Sequence, residues 1–319
     1  MKKITSIICA LALIFAMCGA SAFAAPADQY VVGICQLVQH PALDAATEGF
    51  KAALTDKLGD SVVFQEQNAS GDSATCSIIC SQFVGDEVDL ILANATPAML
   101  AADSATNEIP ILGTSITDYG SALAIDEWTG VTGTNISGTS DLAPLDGQAA
   151  MLNEIFPDAK NVGILYCSSE PNSKFQADTI TPMLEELGYT VSSYTFADSN
   201  DVAAVTQTAC DECDVLYIPT DNTAASCTEA INNVALVAGV PIIAGEEGIC
   251  GGCGVATLSI SYYDLGYATG EMAAEILVDG ADVSEMEIRY APNFTKKYNA
   301  ANCETLGIEI PEDYVAIGE

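Results

Sequence analysis

The chain has 319 residues, of which 50% are hydrophobic and only 17% are charged. This composition is sufficient for two sizeable hydrophobic cores and excludes a wholly disordered protein. Its 44 acidic residues outnumber its 9 basic residues, which gives a formal net charge of -35. Because such a charge repels nucleic-acid phosphates, the composition also excludes a nucleic-acid-binding protein.

Residues 1–24 have the pattern of a secretory signal peptide. Lys2 and Lys3 precede an apolar stretch from Ile4 to Met17, and Ala22-Phe23-Ala24 has the A-x-A form of a cleavage site. We predict cleavage there and a periplasmic or extracellular location. The alternative is a lipid anchor on Cys18, although a small residue is missing immediately before it. From residue 25 onward no apolar run approaches the ~20 residues of a membrane-spanning helix.

The remainder of the chain repeats itself. Three apolar landmarks of the first half recur in the same order in the second half at a nearly constant offset, which indicates two similar halves. The paired landmarks are Val32-Gly33-Ile34 with Val162-Gly163-Ile164, Asp89-Leu90-Ile91 with Asp214-Val215-Leu216, and Ile109-Pro110-Ile111 with Val240-Pro241-Ile242.

Each half alternates short apolar strands with helical stretches, which predicts parallel sheets covered on both faces. The predicted fold is α/β, with two doubly wound parallel-sheet lobes joined by a multi-strand hinge. We assign 25–136 plus 262–288 to the N-terminal lobe and 137–261 plus 289–319 to the C-terminal lobe. Hinges are expected near 133–138, 258–261 and 288–292. The clearest predicted helices are Ala45 to Lys57, Asn172 to Leu187, Asn222 to Val237 and Tyr262 to Leu277.

Polar residues follow the predicted strands in both halves. Ligands of open parallel sheets bind beyond the carboxyl ends of the strands, where helix N-termini present free N–H groups. A single Ser, Thr or Asp in such a turn is more often a helix cap, but two facing sets of turns favour a binding cleft. The candidate ligand-binding residues are Gln36, His40, Asn94, Thr96, Thr114 and Asp118 in the first lobe and Tyr166, Ser169, Glu170, Asn172, Ser173, Thr220, Asp221, Asn222 and Glu246 in the second.

These residue types suit a zwitterionic ligand. Glu170 and Asp221 are candidates for binding an ammonium group, and Thr96, Ser169 and Ser173 with nearby backbone N–H groups are candidates for binding a carboxylate. Three further candidates, Gln36, Tyr166 and Asn222, would supply shape and hydrogen bonds.

Two residues have competing interpretations. His40 is the only histidine, and contact with a ligand and a structural role are equally supported. Trp128 could stack on an aromatic ligand, but a place in the core is favoured.

Enzymatic activity is not indicated. The sequence has no Ser or Cys nucleophile motif that could use His40 as its base. A carboxylate pair such as Glu246-Glu247 is the one arrangement that would still allow hydrolysis. Cys210-x-x-Cys213 and Cys250-x-x-Cys253 resemble halves of a zinc site, but their separation and their places at opposite sheet ends oppose it. We therefore predict no metal and no cofactor. Disulfides and free thiols both stay open for the cysteines of the exported chain.

Three motifs resemble a known family. His40-Pro41-Ala42-Leu43-Asp44, Ser169-Glu170-Pro171-Asn172-Ser173 and Pro219-Thr220-Asp221-Asn222 are similar to segments of the substrate-binding proteins of ABC importers related to tryptophan and tyrosine binders. The resemblance implies a type I periplasmic-binding-protein fold. It also implies a protein that closes on a small ligand and delivers it to an ABC permease and its ATPase. Separately from the resemblance, we expect a monomer. One departure is Tyr119, which stands after Asp118 where the family has proline.

The resemblance implies an aromatic amino acid as the ligand. Another amino acid, a small carboxylate, a nucleoside or a sugar are the alternatives within the same function. A ligand-sensing module of a signalling system with the same fold is the alternative from another class.

Overall fold

The computed structural model describes residues 29–318. The predicted signal peptide and Cys18 lie outside the described residues. None of the helices in the described part of the chain is both long enough and apolar enough to cross a membrane.

The first lobe is built on a six-stranded parallel sheet. Its strands are β1 (Tyr30–Gln36), β2 (Val62–Asn68), β3 (Leu90–Asn94), β4 (Ile111–Ile116), β5 (Ile136–Ser140) and β11 (Arg289–Tyr290). They lie in the order β11-β5-β4-β3-β1-β2, and every neighbouring pair is parallel. β1, β3 and β4 are almost entirely buried, as expected for strands covered by helices on both faces.

The second lobe repeats this arrangement. Its strands are β6 (Asn161–Cys167), β7 (Thr190–Phe196), β8 (Val215–Ile218), β9 (Ile242–Ala244), β10 (Ala256–Ser259), β12 (Thr295–Tyr298) and β13 (Val315–Ala316). Their order is β13-β12-β10-β9-β8-β6-β7, with β12 antiparallel to β10. The order β7-β6-β8-β9-β10 is the counterpart of β2-β1-β3-β4-β5, so the internal repeat corresponds to the two sheets.

Helices cover both faces of each sheet. In the first lobe, α1 (Pro41–Leu58) and α11 (Tyr262–Leu277) cover one face, and α2 (Ser73–Gly85), α3 (Thr96–Ala105) and α4 (Tyr119–Ala122) lie on the other side. In the second lobe, α5 (Leu145–Ile155), α6 (Pro171–Glu186) and α12 (Ala300–Leu306) cover one face, and α7 (Val202–Glu212), α8 (Asn222–Ser226), α9 (Thr228–Ala238) and α10 (Glu247–Cys253) cover the other. Two 3-10 turns span Gly59–Ser61 and Val283–Glu285. The helix predicted from Asn222 to Val237 is divided into α8 and α9 at Cys227.

The chain passes between the lobes three times, at 141–144, 260–261 and 291–294. The first and third passages differ from the predicted lobe boundaries at 136/137 and 288/289. β5 pairs with β4 and β11 pairs with β5, so both strands belong to the first sheet. The sequence of β5, Ile-Ser-Gly-Thr-Ser, is polar although all five residues are buried, which is why an apolar pattern does not reveal this strand.

Glycines allow α1 and α11 to pack with their backbones in contact. A Cβ atom on Gly266 of α11 would lie 1.9 Å from the Ala46 carbonyl oxygen of α1, and one on Gly49 would lie 2.1 Å from the Tyr263 carbonyl oxygen. α11 follows the second passage between the lobes, so this contact attaches the returning chain to the helix that begins next to His40.

We therefore expect Gly266→Ala to destabilise the protein. The added methyl group meets main-chain atoms that cannot rotate away, and overpacking of this kind costs about 1–3 kcal/mol or more. The matched control is Gly85→Ala at the exposed end of α2, where a Cβ meets nothing within 4 Å. Urea unfolding should show a lower free energy for Gly266→Ala and an unchanged or higher one for Gly85→Ala. Equal stability of the two variants would contradict the packing described.

Candidate functional site

The carboxyl ends of the two sheets face each other across a narrow cleft. His40 precedes α1 in the first lobe, and its Nε2 lies 3.3 Å from Oδ1 of Asn222 at the start of α8 in the second lobe. Both residues are buried, with 6% and 7% of their surface exposed. The predicted convergence of turns from the two lobes is thus present at this point.

The first-lobe wall carries backbone strain beside two unpaired polar groups. Ala95 between β3 and α3 has φ 91° and ψ 154°, a region that costs a non-glycine residue about 1–3 kcal/mol. On one side of it, Asn94 donates to the Leu43 carbonyl at 2.8 Å, while its Oδ1 has no protein partner. On the other side, the Thr96 hydroxyl is buried without a partner. Strain of this kind characterises ligand-binding segments, where the rest of the fold holds the backbone in place.

Unpaired buried groups come from both lobes. A buried hydrogen-bonding atom without a partner lowers the stability of the fold by about 1–3 kcal/mol, so such atoms are rare. A polar ligand can supply the missing partner. Six side-chain atoms in residues 29–318 are of this type, and five of them lie at the carboxyl ends of strands or in the turns that follow. The five are His40 Nδ1, Asn94 Oδ1, Thr96 Oγ1, Ser115 Oγ and Asn172 Oδ1.

Glu170 and Asp221 bond instead to their own lobe. Glu170 Oε2 accepts from the backbone N–H and the side-chain amide of Asn222 at 3.0 and 2.6 Å, and Oε1 accepts twice from Thr223. Asp221 accepts from the N–H groups of Ala224 and Cys167. Burial, together with the charge of Glu170, raises the pKa of Asp221 well above its usual value. This geometry favours a structural role for both residues over the predicted ammonium contact.

Two further buried carboxyl groups, those of Asp141 and Glu246, lie at the hinge end of the cleft. Asp141 follows β5, and its carboxyl group accepts from the hydroxyls of Tyr262 at 2.9 Å and Thr117 at 3.2 Å. Glu246 caps α10 by accepting from the N–H groups of Gly248 and Ile249. Burial raises the pKa of Asp141 to about 6 and that of Glu246 to about 7.

Three cavities border the cleft, and residues of both lobes line each of them. The largest, about 620 Å³, lies at the hinge end between the start of α1 and α10, with Glu246 and Tyr262 in its wall. A cavity of about 250 Å³ is lined by Thr96 and Asp118 on one side and by Asn172 on the other. The third, about 180 Å³, includes Ser169 and Glu170.

Several predicted residues have internal partners. Gln36 donates to Asp44 at 2.7 Å and accepts from Thr47, so its amide serves the first lobe. Thr114 lies 3.3 Å from the Thr139 hydroxyl inside the sheet. The remaining members of the predicted set have these places: Ser173 is fully buried beside Asn172, Tyr166 is buried at the end of β6, Thr220 is half-buried next to Gly245, Ser169 is exposed near Ala197, and Asp118 caps α4.

The structure adds site residues that sequence reasoning missed. Ser115 has a positive φ of 57° and an unpaired hydroxyl in β4. Asp141 and Thr117 bond to each other, and Tyr262 joins them from the second passage between the lobes. The position of Asp141 at the carboxyl end of a strand would have identified it, had β5 been recognised as a strand.

Trp128 is not among the residues that line the three cavities. It is half-buried, packs against the first-lobe core, and faces Gly120 of α4, where an added Cβ would lie 3.4 Å from the indole ring. This favours the core interpretation of Trp128. The ten cysteines between residues 29 and 318 are free thiols. Residues 29–318 contain no cluster of three metal-binding side chains.

The family model described as ABC transporter substrate binding protein matches residues 31–317. The chain therefore belongs to the ABC transporter substrate-binding proteins, and its two lobes have the type I periplasmic-binding-protein fold. This confirms the resemblance and the fold class predicted from the sequence. Proteins of this family bind solutes outside the cytoplasm, so the prediction that the chain is not an enzyme is also confirmed.

Individual relatives are similar over most of their length. A tyrosine-binding protein of Clostridioides difficile (strain R20291) is 38% identical over 260 residues, which are 81% of this chain and 75% of that protein. The ABC domain of Streptococcus pneumonia in complex with L-Trp is 29% identical with a TM-score of 0.85, over 89% of this chain and 96% of that one. The ligand-free, open structure of a substrate binding protein with adhesive properties from Clostridium difficile is 37% identical with a TM-score of 0.68, over 90% and 99%.

The buried carboxyl groups predict how stability depends on pH. Burial raises the pKa of Asp141, Asp221 and Glu246, so the folded chain keeps protons that the unfolded chain releases above about pH 4. The ligand-free protein should therefore lose stability as the pH rises from about 4 to about 8. Burial lowers the pKa of His40, which acts in the opposite direction but is one group against three.

We expect the melting temperature of the ligand-free protein to be higher at pH 5 than at pH 8 by roughly 5 °C. Asp141→Asn should reduce this difference, whereas Asp103→Asn at an exposed position should not. Calorimetry at the two pH values checks the expectation, and a higher melting temperature at pH 8 would show that these carboxyl groups are not buried in protonated form.

Proposed function

We propose that this protein is the binding component of an ABC importer and captures an aromatic L-amino acid between its two lobes. The single observation that carries the proposal is the set of unpaired buried polar atoms near the carboxyl ends of strands in both lobes, two of which, in Thr96 and Asn172, belong to residues on facing walls of the 250 Å³ cavity. In this proposal the ligand supplies their missing partners and bridges the lobes. The closed form then docks on the permease, whose ATPase drives uptake.

The relatives support an aromatic amino acid. One is named for tyrosine and another was solved with L-Trp. This chain superimposes better on the L-Trp complex, with a TM-score of 0.85 at 29% identity, than on the ligand-free open structure, with 0.68 at 37% identity. Since sequence similarity alone would favour the second, the difference supports a lobe arrangement like that of the ligand-bound relative.

The cleft also has apolar walls for a ring. Ala42 and Ala45 of α1 and Ile260 of the hinge line the 620 Å³ cavity together with Tyr263 and Ile317. Cavities of about 300–1,000 Å³ with apolar walls and a few fixed polar groups are typical of small-molecule sites. An amino acid with a large apolar side chain matches the apolar walls through its side chain and the fixed polar groups through its amine and carboxylate.

Export completes the proposal. The signal peptide would be cleaved after Ala24 and release a protein that works as a monomer, with a lipid anchor on Cys18 as the alternative. The exported chain keeps 44 acidic residues. A strongly charged surface of one sign maintains solubility at high concentration, which suits a binding protein that must collect a dilute solute.

The first experiment is a thermal-shift screen of the exported chain against the amino acids, nucleosides and sugars. A ligand that binds only the folded state stabilises it by ~2.7 kcal/mol at a hundredfold excess over Kd. We expect shifts with tryptophan, tyrosine or phenylalanine. A shift with another class alone would overturn the aromatic assignment. No shift with any solute, from a sample that melts cooperatively, would overturn the capture function and favour a sensor that responds to a different signal.

Thr96 provides a test of the unpaired atoms. Thr96→Val keeps the shape of the side chain and removes a buried hydroxyl that has no partner in the protein. The ligand-free variant should be as stable as the wild type or more stable, while its affinity for the amino acid should fall about tenfold.

The matched control is Thr208→Val, an exposed helical position whose hydroxyl bonds only to the Ala204 carbonyl within α7. Titration calorimetry measures both variants. Unchanged affinity in Thr96→Val would show that this hydroxyl does not face the ligand.

A further inference from the structure

The hinge end of the cleft brings together two buried carboxyl groups from different lobes. Asp141 is the first residue of the 141–144 passage, where it follows β5 and bonds to Thr117 of the first lobe, and it is 4% exposed. Glu246 belongs to the second lobe, because it caps α10, and it is 3% exposed. A contact that involves both carboxyl groups therefore spans the two lobes.

Tyr262 lies between these two groups. Its hydroxyl donates to Asp141 at 2.9 Å, and its side chain lines the 620 Å³ cavity together with Glu246. Burial is the main cause of the raised pKa of Tyr262, and the charges of Asp141 and then Glu246 add to it. The charge of Asp141 also acts on Glu246. The hydrogen bond of Tyr262 to Asp141 and the cavity wall that Tyr262 shares with Glu246 place the three side chains in one cluster.

No positive charge is available to this cluster from the cavity lining. The basic side chain among the residues that line the cavity is Lys297, and its Nζ is paired with Glu247 at 2.6 Å. Two buried carboxyl groups at the junction of the lobes repel each other when both are ionised, so at a pH where both have lost their protons a cation between them favours closure. A cation placed between them removes that penalty.

Asp141 also retains capacity to accept further hydrogen bonds. Its two oxygens accept from two hydroxyls, those of Thr117 and Tyr262. Glu170, by contrast, accepts five hydrogen bonds, which come from Asn172, Asn222 and Thr223. An ammonium group has three N–H donors, which match the carboxylates of Asp141 and Glu246 and the hydroxyl oxygen of Tyr262.

We propose that Asp141 and Glu246, with Tyr262, bind the protonated amine of the ligand and that this contact holds the lobes closed at the hinge end. The proposal rests on the capture of an amino acid by the cleft. It moves the ammonium contact away from Glu170 and Asp221, whose carboxyl groups accept hydrogen bonds within the second lobe. A ligand that lacks the amine would leave the two carboxyl groups unneutralised and would bind poorly even if its ring and carboxylate fitted.

The test compares L-tryptophan with 3-(indol-3-yl)propanoate, which has the same ring and carboxylate but no amine. Titration calorimetry is performed on the wild type, Glu246→Gln and Asp141→Asn. We expect the wild type to prefer tryptophan by about a hundredfold and each variant to lose tenfold or more of its tryptophan affinity. Affinity for the propanoate should stay the same or rise, because one of the two unneutralised carboxylates is gone, so the preference should fall to tenfold or less.

The matched control is Glu247→Gln, which removes the neighbouring carboxylate that pairs with Lys297. It should keep the preference for tryptophan. Tyr262→Phe gives a second variant that leaves both carboxyl groups and the helix cap of Glu246 in place, so it remains informative if the others fold poorly. It should lose about threefold to tenfold in tryptophan affinity alone.

The outcomes separate the two proposals. Failure of the wild type to bind any aromatic amino acid would overturn the proposed function. Binding of tryptophan by the wild type with its preference over the propanoate retained in Glu246→Gln, Asp141→Asn and Tyr262→Phe would overturn the ammonium assignment and leave the capture function standing.

Discussion

At Gly266 the backbone of α11 approaches α1 so closely that a Cβ atom would lie 1.9 Å from the Ala46 carbonyl oxygen. The arrangement of the cleft depends on this contact. α1 begins directly after His40, and α11 begins with Tyr262, immediately after the chain has returned from the second lobe. Packing the two helices backbone to backbone therefore fixes the first-lobe wall and the hinge passage relative to each other.

The polar residues of the cleft fall into two groups with different physical roles. Glu170, Asp221 and Gln36 have hydrogen-bond partners within their own lobes and hold the turns in place. Asn94 and Thr96 each keep a buried atom without a partner. The hydrogen bonds of the first group keep the turns rigid. Rigid turns prevent the unpaired atoms of the second group from relaxing toward alternative partners.

Charge is distributed unevenly between the surface and the cleft. The acidic surface is solvated, whereas Asp141 and Glu246 are buried at the junction of the lobes, where both neighbour Tyr262. Burial makes their ionised forms costly, and that cost depends on how closely the lobes approach. Electrostatics and lobe closure are therefore linked at the hinge, while ring recognition relies on the apolar walls.

The sequence by itself determined the two-lobe architecture, because apolar strands and their repeat are local patterns that hydrophobic burial must satisfy. It also located the turns that form the cleft, since polar residues after buried strands have few other places to lie. Only the tertiary structure decided which of those residues are engaged internally, because Asn222 and Thr223, which bond to Glu170, lie about 50 positions away along the chain. It likewise decided the place of β5, whose polar residues are buried by neighbouring strands and helices, and with it the meeting of Asp141 and Glu246. Contacts of that kind arise from how distant segments approach in space, which no local pattern of residues encodes.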